Sequence, residues 1–299
     1  METRVLSASR EVIIGGGRPT VLIGERINPT GKKRLAEALR AGDLSVACEE
    51  ALAQVAAGAD ILDVNVGATG VDEIDMLPRA VEAIAGVVDV PLCIDSRKAK
   101  ALAAALAVCP GRPIVNSVTG EEASLQEVLP LVKQYGVPVI GLTLDERGIP
   151  AEASARLEIA YRIVERAEAL GIPREDVIID CLTLSLGADV KAGLATLEAT
   201  RRVRDELEVN QTQGCSNISH GLPNRPVLTS AYLAIAIEAG LTCPTVDVAL
   251  VRMAILSADL VLGRDNYATR FIQAFRAAQA AQACSAPSPR RPSVSSGAR

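Results

Sequence analysis

Aromatic side chains are scarce in this chain, making up 2% of its 299 residues, with no Trp, two Phe and four Tyr. Its 49% hydrophobic content must therefore come from Ala, Val, Leu and Ile, the small and branched side chains that fill the layered interior of a parallel barrel. Runs of Lys and Arg interleaved with aromatics are also missing, and the net charge is −5. Phosphate neutralisation needs clustered cations, which argues against a nucleic-acid partner and for a small molecule or a protein. The seven cysteines form no C-x-x-C pair, and several lie in apolar runs such as Pro91-Leu92-Cys93-Ile94. That points to buried free thiols in a reducing compartment, not to disulfides or a zinc site. The opening Met1 to Arg10 lacks the apolar stretch of a signal peptide. No uninterrupted apolar run reaches the roughly 18 residues needed to span a bilayer. A cytoplasmic protein that binds no membrane is expected.

Short apolar, strand-like runs alternate with Ala/Leu/Glu/Arg-rich helical stretches, the signature of repeated βα units around a parallel sheet. The predicted strands are Val21 to Glu25, Ile61 to Val66, Pro91 to Asp95, Pro113 to Ser117, Pro138 to Leu144, Val177 to Cys181, Val209 to Ser216 and Thr245 to Val248. Eight runs favour a closed (β/α)8 barrel, a fold that routinely takes about 250 residues as one domain. The rival is a doubly wound open sheet, which would carry a G-x-G-x-x-G turn after its first strand. Here that strand runs into Glu25-Arg26-Ile27-Asn28-Pro29-Thr30. Gly15-Gly16-Gly17 precedes it and reads as a turn of an N-terminal hairpin plugging the lower end of the barrel. Residues 1–283 are assigned to the barrel. Residues 284–299, rich in Ser, Pro and Arg, are expected to form a disordered tail, since they cannot bury enough apolar surface to order themselves.

Nearly every predicted strand finishes on a carboxylate, amide or hydroxyl: Glu25 and Asn28, Asp63 and Asn65, Asp95 and Ser96, Asn116 and Ser117, Thr143, Asp180, and Ser216 with Asn217. In a barrel the carboxyl ends of the strands converge on one rim, where the active sites of this fold lie. Each such residue taken alone is equally well explained as a helix cap or turn former. Capping explains less well why Asp63, Asp95, Asn116 and Asp180 sit in apolar strand ends, where an unpaired carboxylate costs several kcal/mol. A ligand rich in donors would supply the missing partner. A carboxylate accepts two parallel hydrogen bonds from a flat N–H/NH2 edge, such as the 2-amino-4-oxo edge of a pterin or guanine. The loops after the last two strands lack the glycine cluster of a phosphate cup, so a flat neutral heterocycle fits better.

The residues that carry these features stand in order along the chain: Gly24-Glu25-Arg26-Ile27-Asn28, Leu62-Asp63-Val64-Asn65-Val66-Gly67, Cys93-Ile94-Asp95-Ser96, Val115-Asn116-Ser117, Gly148-Ile149-Pro150, Ile179-Asp180, and Ser216-Asn217-Ile218-Ser219 followed by Asn224-Arg225-Pro226. Together they resemble the pterin-binding methyltransferases that pass a methyl group between methyltetrahydrofolate and a corrinoid protein, within the dihydropteroate-synthase-like superfamily. The resemblance covers roughly Val21 to Phe275 and touches every strand.

It implies that Asp95, Asn116 and Asp180 hold the pterin edge, with Asp63 in the same ring. Ser216, His220 and Arg225 would line the mouth, and Asn217 would hydrogen-bond the N5 that carries the methyl group. Methyl transfer from a tertiary amine is a displacement in which N5 leaves as an anion unless it gains a proton or a strong hydrogen bond. Asn217 would stabilise that charge while the proton comes from water; one preorganised donor of this kind contributes on the order of 3 kcal/mol. The resemblance also implies methyltetrahydrofolate or tetrahydrofolate as substrate, a homodimer, no metal of the protein's own, and a corrinoid brought by a partner protein. The cobalt-ligand motif D-x-H-x-x-G is absent here, Ile218 standing two residues before the lone His220.

The chain departs from the family pattern at Arg97-Lys98, where Thr-Asn is common, and in the polar seventh strand Asn210-Gln211-Thr212-Gln213. His220 reads equally as a solvated loop histidine. Cys215 reads as a buried thiol, no partner base being evident beside it. The runner-up activity is dihydropteroate synthase, although the Lys followed shortly by a Ser-Arg pair that serves its pyrophosphate leaving group is missing. A pterin-binding scaffold that docks a corrinoid carrier without turnover is the non-enzymatic alternative.

Overall fold

The fold is that of a computed structural model, which describes residues 1–285. The chain opens with an antiparallel hairpin, β1 (Glu2–Leu6) and β2 (Glu11–Gly15). Eight parallel strands follow: β3 (Ile23–Ile27), β4 (Ile61–Asn65), β5 (Leu92–Asp95), β6 (Ile114–Thr119), β7 (Val139–Leu142), β8 (Val177–Asp180), β9 (Asn210–Thr212) and β10 (Thr245–Val246). Ten helices complete the described chain: α1 (Lys33–Arg40), α2 (Ser45–Ala57), α3 (Glu73–Ala85), α4 (Ala99–Val108), α5 (Glu122–Tyr135), α6 (Ala153–Ala169), α7 (Ala192–Arg202), α8 (Arg225–Ala239), α9 (Val248–Val261) and α10 (Thr269–Ser285). The strand order is β10-β3-β4-β5-β6-β7-β8-β9. A parallel bridge between Gly214 and Thr245, with Thr245 N–H donating to the Gln213 carbonyl at 2.9 Å, joins the two ends and closes the barrel. All eight predicted strands are present, each within a few residues of its predicted limits.

Side-chain alternation, with a period of two, divides each strand between two cores. Leu62, Val64, Ile94, Val115, Val139 and Ile179 face the helices and pack with residues such as Leu77, Ala80, Val81 and Ile84 of α3. That helix starts at Asp72, whose carboxylate accepts the Ile74 N–H at 3.0 Å, and the spacing of its buried residues lays one apolar stripe on the sheet. Ile23, Ile61, Cys93, Ile114, Ile140, Ile178 and Cys243 face inward and form a separate apolar floor. Val5, Val12 and Ile14 of the hairpin join this floor, and Asn210 Nδ2 ties β9 to the hairpin through Thr3 Oγ1 (2.9 Å) and the Ile14 carbonyl (3.1 Å). The hairpin thus plugs the lower end. Its turn lies at Ser7 to Arg10, where Ser7 Oγ accepts the Arg10 N–H at 2.9 Å. Gly15-Gly16-Gly17 instead begins the link into the barrel, all three at positive φ.

The polar seventh strand has a structural reason. Gln211 and Gln213 point outward into hydrogen bonds that replace apolar packing: Gln211 Nε2 donates to the Thr200 carbonyl (2.9 Å), Gln213 Nε2 to Thr200 Oγ1 (2.7 Å), and Tyr232 Oη to Gln213 Oε1 (2.6 Å). A buried polar network of this kind is stable because its members are mutually satisfied. The final helix runs to Ser285, so the first two residues of the expected tail continue α10; the rest of that tail lies outside the described residues. No described helix is long and apolar enough to cross a membrane.

Candidate active site

One alternation step above the apolar floor, the inward positions change character. Ile23, Ile61, Cys93, Ile114 and Ile178 are followed two residues on by Glu25, Asp63, Asp95, Asn116 and Asp180. Strand register sets these side by side: Asn65 is opposite Asp95, and Asp95 is opposite Asn116. Asn116 Nδ2 donates to Asp63 Oδ1 at 3.0 Å, and Asn65 Nδ2 donates to Asp95 Oδ2 at 2.8 Å. Burial, then the neighbouring charge of Asp95, hold the Asp63 carboxyl well above the ordinary range against the opposing Asn116 bond. Burial also raises Asp95, to about 6, although the Asn65 bond and Arg97 oppose it. A carboxylate charge at Asp95 thus disfavours a second one at Asp63.

Asp180 ends β8 and is lifted by burial to about 7, with the backbone N–H of Leu182, Arg156 and the Gly214 backbone favouring its ionised form. The Leu182 N–H donates to Asp180 Oδ1 at 2.7 Å. Asp180 lines a cavity of about 360 Å³ with Ile149, Leu182, Thr183, Leu184, Ser185, Gly214, Asn217 and His220. Asn217 sits on the short 3-10 turn Cys215–Ser219 that follows β9, its side chain exposed at the cavity edge. The loop across from it is held by Ser185 Oγ, which donates to the His220 carbonyl at 2.6 Å. His220 thus contributes its backbone to the fold, while its exposed ring is left on the rim.

Ser216 and Arg225 form an adjacent group. Ser216 Oγ donates to Glu25 Oε1 at 2.6 Å, and Arg225 Nη2 donates to the Ser216 carbonyl at 2.8 Å. Glu25 is raised by burial and by Asp247, against the Ser216 bond and the cations Lys32 and Arg225. It reaches this position because β3 breaks register between Gly24 and Ile27, the Arg26 N–H turning to Gln54 Oε1 at 2.8 Å.

The structure therefore brings Asp180, Asn217 and His220 together in one cavity, stands Asp63, Asp95 and Asn116 on adjoining strands, and ties Ser216 and Arg225 to Glu25. Other polar strand ends are structural. Asn28 Oδ1 accepts the Thr30 N–H, Ser96 Oγ accepts the Lys98 N–H at the start of α4, and Thr143 bonds the Asp180 carbonyl. Burial pushes the Cys215 thiol well above its usual range, which leaves it without nucleophilic character. Two contributors were not singled out from the sequence, the Leu182 backbone and Arg156. Neither carries a signal, since one is a peptide group and the other reads as an ordinary helix-surface arginine.

A family model described as "Pterin binding enzyme" matches residues 24–247. The chain belongs to this family. Among its relatives is a methylcorrinoid:tetrahydrofolate methyltransferase of Eubacterium limosum, 29% identical over 266 residues that cover 86% of this chain and 96% of that protein. A methionine synthase of Mycobacterium leprae is 33% identical over 238 residues, 75% of this chain but only 20% of the longer enzyme. This pterin binding enzyme also shares its fold with dihydropteroate synthases. That of Yersinia pestis with a pterine-sulfa conjugate superposes with a TM-score of 0.67 at 20% identity, covering 87% of this chain and 98% of the other. That of Stenotrophomonas maltophilia gives 0.68 at 22% identity with coverage of 87% and 98%.

Proposed function

We propose that the protein moves a methyl group between N5 of methyltetrahydrofolate and the cobalt of a corrinoid carried by a separate protein. The observation that carries this reading is the pairing of a buried carboxylate, Asp180, with an exposed amide, Asn217, in one cavity. The Eubacterium limosum relative, matched over nearly its whole length, supports the same reaction class. Asp180 accepts the ring N–H and 2-amino group of the pterin, and Asp95 and Asn116, at the same level of the barrel on β5 and β6, take up the rest of its edge.

The Asn217 amide donates toward N5 as the nitrogen takes the electron pair of its bond to the methyl carbon. One donor fixed before the reaction stabilises that developing charge without reorganising water. The proton that completes N5 comes from water at the open side. The corrinoid supplies cobalt as the other methyl carrier, and the exposed edge at Asn217 and His220 fits a group that arrives from outside on a partner.

The test is spectroscopic. Methyltetrahydrofolate and Co(I) cobalamin are incubated with the full chain, and formation of methylcobalamin is followed. Turnover above the protein-free rate is expected. No turnover, combined with condensation of p-aminobenzoate and the pterin pyrophosphate by the same protein, would overturn the proposal in favour of dihydropteroate synthesis.

A further inference from the structure

Arg156, near the start of α6, is 1% exposed and is the largest fully buried side chain of the described chain. Removing a guanidinium from water costs several kcal/mol unless its donors are met. Here the acceptors around Nε and Nη1 are all neutral: Nε donates to the Pro150 carbonyl (2.8 Å), and Nη1 lies within hydrogen-bond distance of the carbonyls of Cys181 (2.8 Å) and Leu182 (2.9 Å) and of Thr196 Oγ1 (2.9 Å). An arginine that served stability alone would be better replaced by an apolar side chain of similar volume. The segments it grips suggest another use. Pro150 follows Ile149 on one wall of the cavity, and Leu182 follows Asp180 on the other.

Leu182 is a non-glycine residue with φ +58°, a conformation that L side chains rarely adopt and that needs support from its surroundings. Its carbonyl is held by Arg156 and by Thr196 Oγ1 at 3.1 Å, while its N–H holds Asp180 Oδ1 at 2.7 Å. The backbone of one residue thus connects the guanidinium to the carboxylate. The ionisable groups facing Asp180 are Cys181 beside it, Arg156 on α6, Cys215 after β9, Cys243 before β10 and Tyr232 on α8. Burial pushes the three thiols and the phenol upward and keeps them neutral at pH 7, so Arg156 is the one fixed charge in this set.

We infer that Arg156 is a positioning residue for substrate binding: it fixes the Leu182 backbone that orients Asp180, and it ties together the two walls of the cavity. This inference rests on the reading that the cavity holds the pterin.

The test uses the full chain labelled with 13C at the Asp carboxyls. The Asp180 resonance is identified by its loss in Asp180→Asn and titrated in wild type, Arg156→Lys and Arg156→Met. The titration midpoint is expected to rise by about one pH unit or more in Arg156→Met and by less in Arg156→Lys, which keeps the charge but not the fork of donors. Affinity for methyltetrahydrofolate, read by calorimetry, should fall about tenfold in Arg156→Met, the order of one charge-assisted contact. That loss should vanish in an Asp180→Asn background, because a residue acting through Asp180 has nothing left to act on. An unmoved midpoint in both variants, or a tenfold loss that persists without Asp180, would overturn the inference. If Arg156→Met does not fold, Arg156→Lys decides on the same two readouts. A wild type that binds no folate would sink the proposed function, whereas the titration, which needs no ligand, still decides the link between Arg156 and Asp180.

Discussion

The floor and the rim of the barrel interior are built by the same strands, one alternation step apart, and they differ in every physical respect. Below, Ile61, Ile114, Ile140 and Ile178 pack with the hairpin into an apolar layer. Above, Asp63, Asp95 and Asp180 are buried carboxyls, each met by one donor in turn: the Asn116 amide, the Asn65 amide and the Leu182 N–H. The step between the layers is about 7 Å of strand. That proximity explains the raised carboxyls of the rim, since a dry floor denies them water from below. The floor thus makes the rim costly when empty and receptive to a ligand that brings N–H groups.

Breaking the floor should have the largest effect. Ile61→Ala removes a fully buried side chain and is expected to destabilise the protein by about 2–5 kcal/mol, measured by urea unfolding. A loss under about 1 kcal/mol would mean that the layer repacks freely and does not support the rim. Breaking the rim at Asn217 should do the reverse. Asn217→Ala is expected to slow methyl transfer by about 10²–10³-fold, with folate affinity near wild type and stability changed by less than about 0.5 kcal/mol, the residue being exposed. An unchanged rate removes Asn217 from the chemistry.

The two layers also differ in how legible they were. Inward alternation and the polar strand ends are periodic features, so the eight strands, the plugging hairpin and the Asp63, Asp95, Asn116 and Asp180 set could be read from the chain itself. The grouping within that set could not, because it depends on strand register and on where the chain turns after each strand. Ser216 looked like a neighbour of Asn217 yet turns to Glu25, 191 residues earlier. Arg156 sits in a helix whose pattern gives no hint of its burial. The polar seventh strand looked anomalous because a mutually satisfied network cannot be inferred from one of its members.

The rim's acidity gives a smaller effect whose sign differs from the usual carboxylate case. Asp180 titrates near pH 7 in the folded chain and near 3.8 when unconstrained. The folded state therefore binds more protons between those values, and stability falls as pH rises from about 4 to about 7, then levels. Asp180→Asn removes that penalty, so its melting temperature should exceed wild type by more at pH 8 than at pH 5. On the proposed function, folate binding should run the other way, because the N–H/NH2 edge selects the ionised carboxylate. Wild-type affinity should strengthen with rising pH up to about 7 and be flat above. Calorimetry showing affinity that weakens over this range would mean that the protonated acid is the binding form.

His220 sharpens the contrast at its smallest scale, because it lies on the rim without belonging to the acidic wall. Its backbone is used, its carbonyl accepting from Ser185 Oγ, while its ring is exposed. A backbone contact survives replacement of the side chain, so His220→Ala should change stability by less than about 0.5 kcal/mol and folate affinity by no more than about threefold. A larger loss of methyl transfer to a protein-bound corrinoid, with transfer to free cobalamin unchanged, would assign the ring to the partner. A loss with both acceptors would instead move His220 from the rim into the group that works directly on the folate.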